Sequence, residues 1–370
     1  MDIDPQAVEV TKLSLSLKAL EDTNHAEVYD ERTLWHTTIL PHLDSNIKCG
    51  NSIVSTDYEA QARLLKDGSA AFINSFDWRS EFKAIMHDGG FHAIIGNPPY
   101  GMATGDVLKK YLKATYSCLE GRYDLFEVFV ERAYQLLRSE GQFGYIIPSP
   151  VLTNLYSRKL RLFLLEHTTI TQITNFTMDV FEDPTVHSCI ILFTKRAPKK
   201  TDSVSIRKSV QLAAALEGPF DFTTLQSELG NNETSSFDVF IDPESQAILR
   251  QIAQGSTTLG NLCFIRQCIK TGDDTQYVRS FEREPRAPWK LTLRGKSIDR
   301  FRILERNLCL KYGDWLARNW KNRTFYETPK IAVRETGSRI IATLDLESRY
   351  FLSSLYAVYF KTANSEDHLL

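Results

Sequence analysis

Cysteine chemistry is the first thing this sequence does without. Its six cysteines, Cys49, Cys118, Cys189, Cys263, Cys268 and Cys309, form no CxxC pair, and no histidine cluster accompanies them. That spacing speaks against a zinc site and a disulfide framework and makes a reducing cytoplasm the default compartment. No uninterrupted apolar run approaches membrane-spanning length, and no signal peptide is visible. A strong net charge is missing too, since 44 Lys and Arg nearly balance 46 Asp and Glu to give −2. What is there is a globular composition, 42% hydrophobic and 24% charged, on 370 residues, long enough for two domains.

The small net charge conceals an uneven distribution. From Asn261 to Ile340, 18 Lys and Arg stand against nine Asp and Glu, a net of +9 that leaves −11 on the rest of the chain. A basic block on an acidic body suits a footprint for a polyanion, with a solvated basic surface as the alternative.

The most informative stretch is Asn97-Pro98-Pro99-Tyr100. It follows Phe91–Gly96, an apolar run that reads as a buried strand. Two consecutive prolines donate no hydrogen bonds and fix φ, so the strand ends in a rigid turn. In an open α/β sheet, ligands bind at the carboxyl ends of strands. Asn97 offers a side-chain carbonyl, the backbone beside the prolines offers further acceptors, and Tyr100 offers a flat face. A planar exocyclic amine can donate both hydrogens to these acceptors and lie against the ring. Its nitrogen lone pair is then free to attack an electrophilic methyl group, with positioning and electrostatics in place of a strong base. Read more plainly, the tetrapeptide is a loop or a polyproline ligand.

Around this turn the chain alternates. Asp4 and Pro5 suit an N-cap and first helical residue, and Ala7, Val10, Leu13, Leu17 and Leu20 space an apolar stripe along a helix over 4–20. Asp2 sits where an acid at a strand end binds ribose hydroxyls, or serves as a second capping acid. Residues 46–54 read as a short strand with a Gly-Asn turn, and 57–90 as polar helix. Gly101–Arg122 reads as a loop able to move over the site. Asp124–Leu137 is an amphipathic helix, Gln142–Ile147 a strand, and Thr153 caps a helix to about Glu166. Ile170–Phe176 and Ser188–Thr194 are the last two strands. The β-α-β-α alternation predicts a doubly wound, mostly parallel sheet. In the loop between those strands, Phe181 is a base-stacking candidate or a core anchor.

The Asn97–Tyr100 tetrapeptide resembles the catalytic motif of S-adenosylmethionine-dependent amino-methyltransferases, a resemblance that leaves DNA adenine, RNA guanine and protein glutamine open as substrates. Asp124–Pro148 and Phe181–Phe193 resemble the stretches that follow this motif in type II restriction-modification DNA adenine methylases. Residues 269–274, 290–298 and 329–337 resemble the specificity domain of Taq-type and type IIG enzymes. The resemblance implies a Rossmann-like methyltransferase core over 1–197, a connecting region over 198–254 and a mixed α+β DNA target-recognition domain over 255–370. It implies S-adenosyl-L-methionine as cofactor, with Asp2 near the ribose and Asn51 near the adenine. Asn97, Pro98, Pro99 and Tyr100 become catalytic, and Tyr100 and Phe181 stack on a flipped adenine. Lys270, Arg294, Lys296 and Arg334, basic residues beside glycine turns, are the expected DNA contacts.

Two departures shape the expectations. The glycine-rich loop that should precede Asp2 is not in the sequence, so the sheet is expected to lack its first strand and the chain alone to be inactive. The sequence is also expected to stop inside the specificity domain, and no endonuclease motif is recognisable. A fused or separate endonuclease would then lie outside this chain. The competing expectations are a protein glutamine or RNA amino-methyltransferase and a DNA-gripping fragment without activity.

Overall fold

Asp4 and Pro5 start the first helix as their chemistry dictates. Asp4 Oδ1 accepts from the Gln6 amide at 2.8 Å, and α1 spans Pro5–Glu21. The structure, a computed structural model, describes residues 1–21, 43–58, 73–176, 180, 187–208, 218–282 and 285–361. The expected stripe on α1 is not sequestered: Val8 is buried, whereas Val10, Leu13 and Leu17 are exposed. Val8, Val10, Leu13, Leu15 and Leu17 are spread around the helix, so they define no single face to bury.

Met1–Ala247 form one compact unit and Ile248–Leu370 a second. In the first, the helices among the described residues include α1, α2 (Trp78–Glu81), α3 (Lys83–His87), α4 (Asp106–Thr115), α5 (Leu125–Leu136) and α6 (Arg158–His167), and a further helix, Pro243–Ala253, runs across the boundary. The strands are β1 (Phe91–Gly96), β2 (Leu137–Pro148), β3 (Thr169–Asn175), β4 (Ser188–Thr194), β5 (Ser203–Arg207) and β6 (Phe222–Leu225). They form a six-stranded sheet in the order β1-β2-β4-β3-β5-β6.

That sheet is mixed, not mostly parallel. β1 with β2 and β3 with β5 are parallel; β2 with β4, β3 with β4 and β5 with β6 are antiparallel. β3 and β4 are neighbours in both sequence and sheet, and such a connection returns the chain antiparallel. The sheet also runs past residue 197. β5 and β6 extend it through the stretch expected to be a connecting region, because β5 pairs with β3 from Gln172 to Thr174.

Three local expectations are corrected. β1 is a strand but not a buried one; among the described residues it is an edge with β2 as its one ladder partner, and Ile95 is 86% exposed. The expected strand over 46–54 is reduced to two parallel bridges, Asp2 with Cys49 and Asn51 with Ser75. The stretch expected to be a loop, Gly101–Arg122, holds the anchored helix α4 between irregular segments. Tyr111 in α4 donates its hydroxyl to Asp57 and accepts from the Ser55 amide, while the Tyr116 hydroxyl donates to the Ile53 carbonyl at 2.7 Å.

Beyond β2 the chain makes two 3-10 turns before α6, and Asn154, not Thr153, supplies the capping oxygen, to the Tyr156 amide at 2.9 Å. Fully buried Arg161 fixes this region by donating to the carbonyls of Val151, Asn154, Thr234 and Ser235. A buried guanidinium needs such a full set of acceptors.

The second unit is built mainly from strands: β7 (Cys263–Gln267), β8 (Val278–Ser280), β9 (Trp289–Leu293), β10 (Ile298–Asp299), β11 (Arg302–Ile303), β12 (Leu308–Lys311), β13 (Lys330–Arg334), β14 (Ala342–Asp345), β15 (Tyr350–Phe351) and β16 (Leu355–Phe360). They form sheets ordered β15-β9-β12-β8 and β14-β13-β16-β7 and the hairpin β10-β11. Single-turn helices lie at Asp274–Tyr277 and Thr324–Glu327. Its core holds a charged cluster: Asp345 accepts from Lys330 at 3.1 Å and from Arg349 at 3.1 Å, with Lys330 and Asp345 fully buried.

Candidate functional site

β1 ends at Gly96, whose register partner is Tyr145 of β2. A Cβ at residue 96 would stand 3.0 Å from the Tyr145 ring, so glycine lets the strand end approach its neighbour. The turn that follows is anchored on one side and open on the other: Pro98 is buried, Tyr100 half-buried, and Asn97 and Pro99 exposed. The Tyr100 hydroxyl donates to Asn97 Oδ1 at 3.1 Å. Burial pushes the Tyr100 phenol up, a hydrogen bond with the Ser188 side chain opposing it, so the phenol stays protonated near neutral pH and can donate.

A contact that sequence reasoning missed holds the far end of the turn. Asp124, the N-cap of α5, accepts from the Gly101 amide at 2.8 Å as well as from the Phe126 amide at 3.4 Å. The Leu125 amide donates back to the Gly101 carbonyl at 2.7 Å. The turn is thus stapled to the first residues of α5. Burial raises the Asp124 pKa, opposed by backbone amides led by that of Gly101. The sequence signal was the capping position of Asp124; nothing in it pointed 23 residues back to Gly101. A polar rim continues at the neighbouring strand ends, where the Ser149 hydroxyl donates to Asn175 Oδ1 at 2.7 Å and the Ser149 amide to the His187 carbonyl.

Asp2 and Asn51 come together on adjacent parallel bridges. The Gly50 amide donates to the Asp2 carbonyl at 2.8 Å, the Asn51 amide to the Asn74 carbonyl, and Asn74 Nδ2 to the Ile3 carbonyl. The Asp2 carboxylate is exposed, with Oδ1 accepting from the Asp4 amide at 2.9 Å, so it has the capping contact of the plainer reading as well. Asn51 Oδ1 accepts from the Ile53 amide at 3.2 Å. A cavity of about 620 Å³ lies nearby, lined by Val8, Lys12, Lys48, Cys49, Phe76 and Glu81 among others, but includes neither Asp2, Asn51 nor the turn at Asn97. Phe181 lies outside the described residues.

In the second unit the four basic candidates gather at one set of strand ends. The Ile269 amide donates to the Phe351 carbonyl, Leu352 to Leu293, Gly295 to the Ser354 hydroxyl, and Glu335 to the Ser354 carbonyl. Lys270 and Lys296 are exposed there. Arg294 forks onto Glu305 through Nε and Nη2 at 3.2 and 3.1 Å. Arg334 turns inward and donates to the carbonyls of Gly295, at 2.8 Å, and Ile298. Arg334 is therefore engaged in shaping the 295–298 turn, and among the described residues the lysines are the open cations of the four.

Comparison with known proteins matches both units. Residues 1–181 fit the Eco57I restriction-modification methylase family, and residues 290–370 fit the TaqI-like C-terminal specificity domain. The chain carries an Eco57I-type restriction-modification methylase domain and a TaqI-like C-terminal specificity domain. The type II restriction enzyme and methyltransferase RM.Eco57I of Escherichia coli is 30% identical over 206 residues, covering 53% of this chain and 18% of that protein. The type II methyltransferase M.TthHB8I of Thermus thermophilus is 24% identical over 269 residues, covering 69% of this chain and 58% of that protein. The matched stretches thus span under a fifth of the first relative and over half of the second. Among solved structures, the type IIL restriction-modification enzyme MmeI in complex with DNA matches with a TM-score of 0.49 and 13% identity, over 78% of this chain and 43% of that one.

Proposed function

We propose that the protein transfers a methyl group from S-adenosyl-L-methionine to the N6 amine of an extruded adenine in a specific DNA sequence, within a restriction-modification or phage-defence system. The observation that carries the reading is the stapled turn after β1, with Asn97 open to solvent and its Oδ1 oriented by Tyr100. The adenine amine takes the place of the Tyr100 hydroxyl as donor to Asn97 and gives its second hydrogen to the Pro98 carbonyl. The Tyr100 ring, and Phe181 from the following loop, lie against the base. Pro98 and Pro99 keep the acceptors stiff, so little reorganisation is needed when charge develops on nitrogen.

Asp2 and Asn51 fit the cofactor by the chemistry of their donor set. An exposed carboxylate accepts at both oxygens, as two ribose hydroxyls require, and the Asn51 amide can meet an adenine edge. Bound S-adenosyl-L-methionine supplies the methyl group as an activated electrophile. Lys270 and Lys296 are proposed to face the DNA at the phosphates, with Arg294 beside them and Arg334 holding the turn that presents Lys296. Among the described residues β1 has an open edge, which supports a sheet short of one strand, and an endonuclease would belong to a region or partner outside this chain.

The experiment offers labelled cofactor with duplex DNA, structured RNA and a glutamine-bearing protein substrate to the gene product that carries this chain. Label in DNA is expected. Label in RNA or protein instead would overturn the assignment.

A further inference from the structure

Hairpin β10–β11 carries a feature that the reading above leaves unused. Its two-residue loop, Arg300–Phe301, joins Asp299 to Arg302, which pair across the hairpin. Phe301 has φ +64°, in the left-handed region, where a two-residue hairpin loop usually places Gly, Asn or Asp. Its side chain is 88% exposed. The loop is nonetheless pinned: the Phe301 amide donates to the Ala342 carbonyl at 3.0 Å and Arg300 Nε to the Ile340 carbonyl at 3.2 Å. Ile340, on that same partner segment, is 77% exposed. Folding gains little from either side chain, and strain at Phe301 is held in place by its neighbours, the usual circumstance of a functional site.

The surroundings say what such a tip would meet. Arg300, Arg302 and Arg339 are all exposed. The Asp299 carboxyl is held below its usual range, first by the Arg300 amide and then by the charges of Arg302, Arg339 and Arg334, so these arginines converge on the hairpin. Asp299 pairs with Arg302 at 3.7 Å, which leaves Arg300 and Arg339 as the excess positive charge at the tip. An apolar point ringed by guanidinium groups does not match an apolar protein surface. It matches a polyanion with stacked, apolar steps between its charged edges.

We propose that Phe301, backed by Ile340 and flanked by Arg300, Arg302 and Arg339, is a wedge that enters a groove of duplex DNA and partly unstacks a base step. The inference rests on the reading that this chain binds DNA, and adds a specific role for a residue outside the four basic candidates. The arginines hold the phosphates on either side, and the strained backbone keeps the ring presented, so that no conformational search is needed on contact.

The test uses residues 1–370 and fluorescein-labelled duplexes with a randomised centre, followed by anisotropy over a range of salt. Phe301→Ala should weaken binding about tenfold with an unchanged salt slope, because a stack is lost and no charge. Arg300→Ala with Arg302→Ala should lower the slope by about two. Phe301→Gly should bind as weakly as Phe301→Ala yet unfold at a higher temperature, since glycine relieves the left-handed strain. Phe301→Trp should show indole quenching by DNA beyond that of the wild-type tryptophans. If wild type binds and both Phe301→Ala and Phe301→Gly match it, the wedge is overturned while DNA binding stands. If wild type binds no duplex even at low salt, both fall together.

Discussion

The Tyr100 hydroxyl donates to Asn97 Oδ1 across 3.1 Å, so the acceptor assigned to the target amine already carries a hydrogen bond. The phenol orients the amide and is the group the substrate must replace. Asn97→Ala should cost at least ~100-fold in methyl transfer, as for removal of a preorganised electrostatic partner, while cofactor binding persists. Tyr100→Phe keeps the ring and should stay within about tenfold of wild type, whereas Tyr100→Ala loses a stack worth roughly 1–3 kcal/mol. Single-turnover rates for the three variants decide this; Asn97→Ala turning over within tenfold of wild type removes Asn97 from the mechanism.

The Asp124–Gly101 bond makes a remote capping residue part of the site. Asp124→Ala should destabilise the first unit by about 1–2 kcal/mol through the lost cap, and lower methyl transfer further by loosening the turn. Asp124→Asn keeps a side-chain oxygen and should recover most of the rate. Equal rates in the Ala and Asn variants would mean that the staple does not position the turn.

Glu127 of α5 gives the fold a pH dependence. Its carboxyl is 2% exposed, with Oε1 accepting from the Ser157 hydroxyl and Oε2 without a hydrogen-bond partner among the described residues. Burial pushes it up to about 7 from an ordinary 4.5. The folded state therefore holds this proton more tightly than the unfolded chain does. The associated stability is fully present below about pH 4.5 and is lost as pH rises through about 7, on the order of 3 kcal/mol in all. Glu127→Gln mimics the neutral form and should flatten the fall in stability between pH 5 and 8, a window set by that shift. Urea midpoints at both ends of the window measure it; parallel pH profiles for variant and wild type would show that Glu127 does not titrate there.

In the second unit, Asp345 pairs with Lys330 and Arg349 inside the core, and Arg349 pairs with Glu347 as well. Asp345→Asn leaves buried Lys330 without a carboxylate partner among the described residues, while Arg349 keeps Glu347, and should cost about 3–5 kcal/mol. Melting of the variant within two degrees of wild type, against the several degrees such a loss implies, would contradict the account of this cluster.

How much of this was legible depended on range. The strands at Phe91–Gly96, Thr169–Asn175 and Ser188–Thr194 showed as apolar runs closed by turn residues, and the Asp4-Pro5 start of α1 by its capping chemistry. Features set by distant partners did not show. The direction of β4 depends on lying between β2 and β3, and the exposure of Ile95 on β1 having one neighbour. Arg334 looked like a surface cation because the carbonyls of Gly295 and Ile298 that engage it are far away in sequence. The helix inside Gly101–Arg122 did not show for the same reason, since Tyr111 and Tyr116 find partners at Ile53, Ser55 and Asp57.

The central claim is amine methylation at Asn97, and the most direct measurement identifies the methylated product. Duplex DNA is incubated with methyl-labelled cofactor and the gene product that carries this chain, then digested to nucleosides and separated. Label in N6-methyladenine, lost in Asn97→Ala, is the expected result. Label in any other nucleoside, or equal N6-methyladenine from the Asn97→Ala protein, would contradict it.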